Sequence, residues 1–268
     1  MNESSLGYRA NVAQKTNDRH QLRRKVPEIT AVFWIVKLLS TAMGESTSDF
    51  FVFKINPYLA VILGGIALVI ALILQFSARR YIAWVYWVAV VMVAVFGTMA
   101  ADALHIQLGV PYIVSSIVFA IALAVVFVLW YKTEGTLSIH SITTRRREMF
   151  YWATVIATFA LGTATGDLTA ITLHLGYFSS GFLFTGIIAI PVLARWLFGL
   201  QEVFAFWFAY IITRPLGASF ADWMGKSKSV GGLGLGDGHV SIGLTLIIIC
   251  FVGYMTLSRK ETRRERLI

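Results

Sequence analysis

Cysteine occurs once, as Cys250, and proline only five times in 268 residues. A single thiol excludes a disulfide framework and a cysteine-rich metal site. Charge is also thin: Asp, Glu, Lys and Arg make up 14% of the chain, against roughly 25% in soluble domains. Aspartate appears only six times. Polar faces at helical spacing, which a soluble α-protein needs, are missing. The first 26 residues are polar and basic, with no apolar core or small-residue cleavage site, so no secretory signal peptide is read there.

Apolar sequence is what the chain has in abundance. Hydrophobic residues make up 57% of it, and the mean hydropathy is +0.72. The apolar stretches last roughly 18–25 residues, and about 20 helical residues cross a hydrocarbon core of ~30 Å. The expected fold is therefore all-α, a polytopic membrane protein of eight transmembrane helices. The spans fall at about 31–53, 58–76, 82–104, 110–131, 149–173, 181–198, 200–223 and 241–255. Asn56-Pro57, Gly109-Val110-Pro111, the 176–181 stretch and the glycine-rich 231–238 stretch punctuate them.

The net charge of +9 does not point to nucleic acid, because its carriers cluster just outside the apolar runs. There they set topology and meet anionic lipid heads. Arg9, Lys15, Arg19, Arg23, Arg24 and Lys25 precede the first span, and Arg259, Lys260, Arg263, Arg264 and Arg266 follow the last. Arg79, Arg80, Lys132, Arg145, Arg146, Arg147 and Arg195 sit in every second connection; the others hold only Lys54, Lys226 and Lys228. The positive-inside rule then puts both termini in the cytoplasm. The organisation reads as a disordered basic tail (1–26), four spans (27–132), a cytoplasmic connection (133–147), four more spans (148–257) and a basic tail (258–268).

One pattern recurs without slipping. An aromatic-Trp pair is followed ten residues later by Gly and five after that by Asp. The copies are Phe33-Trp34…Gly44…Asp49, Tyr86-Trp87…Gly97…Asp102, Tyr151-Trp152…Gly162…Asp167 and Phe206-Trp207…Gly217…Asp222. Each unit pairs a motif helix with a plainer returning helix, so all four units are parallel. A pseudo-twofold or pseudo-fourfold axis along the membrane normal is the natural packing. Trp34, Trp87, Trp152 and Trp207 read first as interfacial anchors. Gly44, Gly97, Gly162 and Gly217 read first as places where a neighbouring helix comes close.

The aspartates are harder to assign to structure alone, since an acid at membrane depth is costly and functional by default. A carboxylate near the end of a helix also opposes the helix dipole. The small and hydroxylated residues between Gly and Asp favour a broken helix there, whose carbonyls and caps supply ligands. Ion or proton handling by Asp49, Asp102, Asp167 and Asp222 stands beside a purely capping role. Glu45, His105 and His174 add donors, and Lys37 and Arg214, the latter before Pro215, add internal counter-charge. Oxygen donors with occasional imidazole suit hard or borderline divalent ions such as Mn²⁺. Asp102, His105, Asp167, Glu45 and Asp49 are the candidate metal ligands. His20, His140 and His239 read as bland positions beside them. The 231–238 segment lacks a following Gly-Lys-Ser/Thr and reads as a tight hairpin, not a phosphate loop.

The repeat, together with Gly162-Thr-Ala-Thr-Gly-Asp-Leu-Thr-Ala170, Arg214-Pro-Leu-Gly-Ala218 and Gly231-Gly-Leu-Gly-Leu-Gly236, resembles a bacterial family of membrane proteins. That family has four tandem repeats of unknown function, each with two transmembrane regions and a characteristic Trp. The resemblance covers about residues 26–259 and implies a bacterial inner-membrane location, but no activity. The leading expectation from the residues is a secondary transporter or exporter of a small cation, a divalent metal or a proton-coupled ion. The bilayer and that cation are its partners. No nucleic acid and no cofactor are expected, the metal being cargo, and a homo-oligomer is left open. An intramembrane metal-dependent enzyme is the weaker alternative, because only His105 and His174 could join the acids as ligands. A scaffold or sensor whose motif merely packs helices is the third.

Overall fold

The computed structural model describes residues 24–106 and 108–265; most of the basic tail expected at 1–26, His20 included, lies outside them. Eight long helices carry the described chain. They are α1 (Ala31–Lys54), α2 (Pro57–Ser77), α3 (Ala83–Ile106), α4 (Tyr112–Glu134), α5 (Arg145–Asp167), α6 (Gly176–Phe198), α7 (Glu202–Gly225) and α8 (Asp237–Glu265). Local chemistry sets their ends. Thr30 and Thr144 accept from the amides of Phe33 and Arg147, Asn56 caps α2 ahead of Pro57, and Gly135 and Gly199 close α4 and α6 in the left-handed conformation. Seven of the eight are long and apolar enough to cross a membrane; α1, with Lys37, Glu45 and Asp49, is not one of them.

The motif helices α1, α3, α5 and α7 form a closed inner ring, each packing on the next and α7 packing on α1. The returning helices stand outside it. Each packs mainly on the motif helix of the following repeat: α2 on α3, α4 on α5, α6 on α7 and α8 on α1. The last helix therefore completes the first repeat. The outer helices leave large apolar side chains exposed, such as Ile62, Ile66 and Ile73 on α2, Ile117 and Ile121 on α4, and Ile242 and Ile249 on α8. An apolar belt of this extent marks a surface meant for something other than water.

The glycines explain how the ring closes. A side chain at Gly44 would lie 3.0 Å from the backbone of Ala94, and one at Gly97 would lie 3.0 Å from Cβ of Phe159. At Gly162 it would run into the Arg214 stem and reach 3.0 Å from Pro215, and at Gly217 it would lie 2.9 Å from Cβ of Thr41. Thr41, Ala94, Phe159 and Arg214 each stand three residues before their own repeat's glycine. One knob-and-notch contact is thus used four times, and the fourth use joins repeat four to repeat one.

Two expectations fail here. The motif helices are not broken between Gly and Asp: α1, α3 and α7 run through both residues, and only α5 departs, into a π turn over Leu168–Thr172 after Asp167. Several of the hydroxyls that suggest a break bond back along their own helices instead. Ser46 donates to the Ala42 carbonyl, Thr98 to Ala94 and Thr163 to Phe159, which satisfies the side chain without freeing the backbone. The tryptophans are not interfacial anchors either. Trp87, Trp152 and Trp207 are buried in the main core, with Trp34 packed against it. An aromatic ring inside a helix ring and one at a lipid boundary look alike in composition. Trp207 also donates from Nε1 to the Leu137 carbonyl at 2.9 Å. Trp207→Phe is expected to lose about 1 kcal/mol of stability, measured by thermal unfolding in detergent.

Candidate functional site

Four-residue steps along each motif helix keep to one ridge, inclined to the helix axis, and such ridges interdigitate between neighbours. The aromatic residue and the Asp of each repeat are sixteen residues apart, so both stand on that ridge. In α1 the ridge reads Phe33, Lys37, Thr41, Glu45, Asp49, all buried. In α3 it reads Tyr86, Val90, Ala94, Thr98, Asp102; in α5, Tyr151, Val155, Phe159, Thr163, Asp167; in α7, Phe206, Tyr210, Arg214, Ala218, Asp222. Only Asp102 and Asp167 among these twenty are partly exposed. The ridges line the ring's interior as five layers.

The first layer is an aromatic seal. Each aromatic packs on the tryptophan of the following repeat: Phe33 on Trp87 at 5.8 Å, Tyr86 on Trp152 at 5.6 Å, Tyr151 on Trp207 at 6.2 Å and Phe206 on Trp34 at 5.6 Å between centroids. The Tyr86 and Tyr151 hydroxyls share a hydrogen bond of 2.5 Å. In the second layer, the ammonium of Lys37 sits 4.0 Å from the centroid of Phe159 and 4.3 Å from that of Tyr210. Lys37 was expected to offset the acids directly. It faces ring π-systems instead, with no hydrogen-bond acceptor among the described residues.

Arg214 spans the third and fourth layers and is fully buried. Its Nη2 donates to Glu45 Oε2 at 2.5 Å, to Thr163 Oγ1 at 2.8 Å and to Thr98 Oγ1, while Nη1 donates to the Thr41 carbonyl at 3.3 Å. Repeat four thus supplies one guanidinium and the other three repeats supply its acceptors. Threonine at the Glu45-equivalent positions of repeats two and three carries no signal until the ridges are aligned, which is why these two residues escape a reading of the sequence.

The fifth layer holds the four aspartates, and it is uneven: two of them meet Glu45 of the fourth layer. Glu45, Asp49 and Asp222 each bring a carboxylate oxygen to within 4.8 Å of the others, and all three are buried. This cluster could coordinate a metal ion. Lys226, just past the end of α7, donates to Asp49 Oδ2 and stands 3.8 Å from Asp222 Oδ1. Burial works against its charge, but the two carboxylates outweigh burial and hold the ammonium well above the usual lysine range. Asp102 and Asp167 do not join the three. Asp102 instead lines a small lateral pocket with Val52, Pro57, Tyr58, Val61 and Met99.

The histidines stand apart from the acids. Nδ1 of His105 is 2.6 Å from the Val110 carbonyl, Nε2 is 3.2 Å from Ser115 Oγ, and the ring lies 3.8 Å from that of Tyr112. His174 is exposed at φ +54° after the π turn. Neither belongs to the carboxylate cluster, so the imidazole part of the expected ligand set is absent from it. The His105 ring is used locally, at the turn between α3 and α4.

The glycine-rich segment holds Lys226 in place. Leu233, Gly234, Leu235 and Gly236 donate in turn to the carbonyls of Trp223, Lys226, Met224 and Gly225 at 2.7–3.1 Å. A helix end leaves its last carbonyls without partners, and this hairpin supplies them for α7. Gly231, Gly234 and Gly236 take positive φ, the conformation that favours glycine.

Fold and site together define a closed ring of four helix pairs around a buried ionic core. The chain belongs to the family described as Repeat of Unknown Function (DUF347), which matches residues 32–81, 85–136, 150–200 and 205–261. Each match opens one residue before the aromatic-Trp pair, so the family unit and the ring unit share one register. No curated protein and no solved structure matches the chain.

Proposed function

We propose that this chain is a multi-pass membrane protein of the bacterial inner membrane that carries a small cation, of which Mn²⁺ and similar divalent ions are the best fit. Both termini are cytoplasmic, which sets the aromatic seal at the inner end and the carboxylate cluster toward the outside. The single observation behind this reading is the convergence of Glu45, Asp49 and Asp222 in a buried, ring-enclosed position. Carboxylates in such a place make sense when a cation visits them. An all-oxygen donor set suits a hard ion that keeps part of its water shell.

Arg214 pairs with Glu45 and fixes that carboxylate's position between visits, so the site keeps its shape without an ion. The tyrosine-tryptophan layer closes the inner route, and passage requires that layer to loosen while the outer approach closes. No nucleotide-binding motif is read in the sequence, so an ion gradient is the driving force. The enzyme alternative needs a compact set of imidazole ligands, and His105 and His174 lie elsewhere. The test is uptake of Mn²⁺ into liposomes holding the purified protein. Asp49→Asn with Asp222→Asn is expected to remove uptake above the protein-free background, with the melting temperature retained. Uptake equal to wild type would end the carrier reading, and a collapse of folding with no flux in wild type would favour a scaffold.

A further inference from the structure

Lys226 brings a charge to the ring's interior from a connection and not from a helix ridge. Lys226 lies past the last turn of α7, yet its ammonium bonds Asp49 and faces Asp222, two of the three carboxylates of the candidate cation site. Asp237, at the start of α8, also lies within its field, and the Phe53 ring is 5.3 Å from Nζ. The ammonium therefore stands where a bound cation would have to contact the same oxygens.

Resting on the carrier reading, we infer that Lys226 is a tethered competitor: its ammonium fills the outer part of the site, and a substrate cation binds by exchanging with it. The charge balance names the class of substrate. Among the groups in direct contact, before Asp237 is counted, Glu45, Asp49 and Asp222 face Arg214 and Lys226, leaving one formal negative charge; with Lys226 withdrawn, two remain. A divalent ion neutralises the vacated site, whereas a monovalent ion only restores what Lys226 already gave. Exchange thus favours divalent over monovalent cations even though carboxylates alone accept both. Because Lys226 is anchored through its backbone carbonyl to Gly234 of the hairpin, only its side chain has to swing for the exchange.

Equilibrium binding of Mn²⁺ to the purified full-length protein in detergent tests this, with free Mn²⁺ followed by its paramagnetic resonance signal. Lys226→Gln is expected to tighten Mn²⁺ binding roughly ten- to a hundredfold, because a competing unit charge is removed from the ligands. Lys226→Arg, which keeps the charge, is expected to bind Mn²⁺ within about threefold of wild type. Lys226→Met, which keeps an apolar stem over Phe53, repeats the measurement if the glutamine variant is not recovered. Unchanged or weaker binding in the neutral variants, while Asp49→Asn abolishes it, overturns the competitor role and leaves the site standing. Mn²⁺ binding in none of the proteins, or binding indifferent to Asp49→Asn, overturns the site and the competitor together.

Discussion

Replacing Arg214 with methionine is expected to lower stability by about 3–5 kcal/mol, the usual cost of leaving one member of a buried ion pair alone. The guanidinium is fully buried, and its removal strands Glu45, Thr98 and Thr163 together in the fourth layer. Stranded polar groups cost more than the net worth of the bonds they made. The double variant Arg214→Met, Glu45→Met is therefore expected to recover most of the loss, because a buried pair exchanged for apolar side chains is often neutral or stabilising by about 1–4 kcal/mol. Thermal unfolding of the three proteins in one detergent measures both steps. A double variant no more stable than Arg214→Met would show that the pair is not an isolated unit. Recovery of folding with loss of Mn²⁺ binding would show that the charge pair serves the site and not the bundle.

The second large effect concerns the notches. Gly217→Val is expected to prevent recovery of folded protein, since Cβ alone would lie 2.9 Å from Cβ of Thr41 and 3.1 Å from the Ala42 nitrogen. Gly162→Ala and Gly44→Ala are expected to cost about 1–3 kcal/mol each, as overpacking between rigid helices does. Gly243→Ala supplies the contrast: that glycine lies inside α8 with nothing within 4 Å of a built Cβ. There the exchange is expected to be neutral or to add about 0.5–1 kcal/mol through helix propensity. Melting temperatures that fall equally at all four positions would mean that glycine serves helix flexibility generally and not ring closure.

The repeat already told how the chain is divided, because an aromatic-Trp pair, a glycine and an aspartate at fixed offsets leave little freedom in where a unit starts. Eight apolar runs became eight helices, although α6 begins five residues earlier than expected, inside the glycine-flanked 176–181 stretch read as a break, and α8 four residues earlier, where Asp237 and Gly238 look like loop. The offset between Phe33 and Asp49 also held the site's logic, since sixteen residues is four steps of four along a helix ridge. Along that ridge Glu45, Thr98 and Thr163 share one layer, each four residues before its repeat's Asp. What the pattern does not encode is which acids meet. Four equivalent aspartates suggest a symmetric site, yet Asp49 and Asp222 converge while Asp102 and Asp167 do not, because Glu45 and Lys226 exist on one side of the ring only. Lys226 itself looks like an ordinary solvated residue of a glycine-rich loop. Its position follows from the hairpin's hydrogen bonds to the end of α7, which no periodicity reveals.

The handover of outer helices has a consequence for the order in which the molecule is made. Helix α1 comes before the other seven helices and, at 24 residues, is long enough to cross a membrane but not apolar enough. Its acids meet their basic partners, Arg214 and Lys226, only in the final repeat, and its outer cover is α8. Of the eight helices, the first in chain order is thus the last to be completed, and it stays a charged helix without its partners until the final repeat follows it.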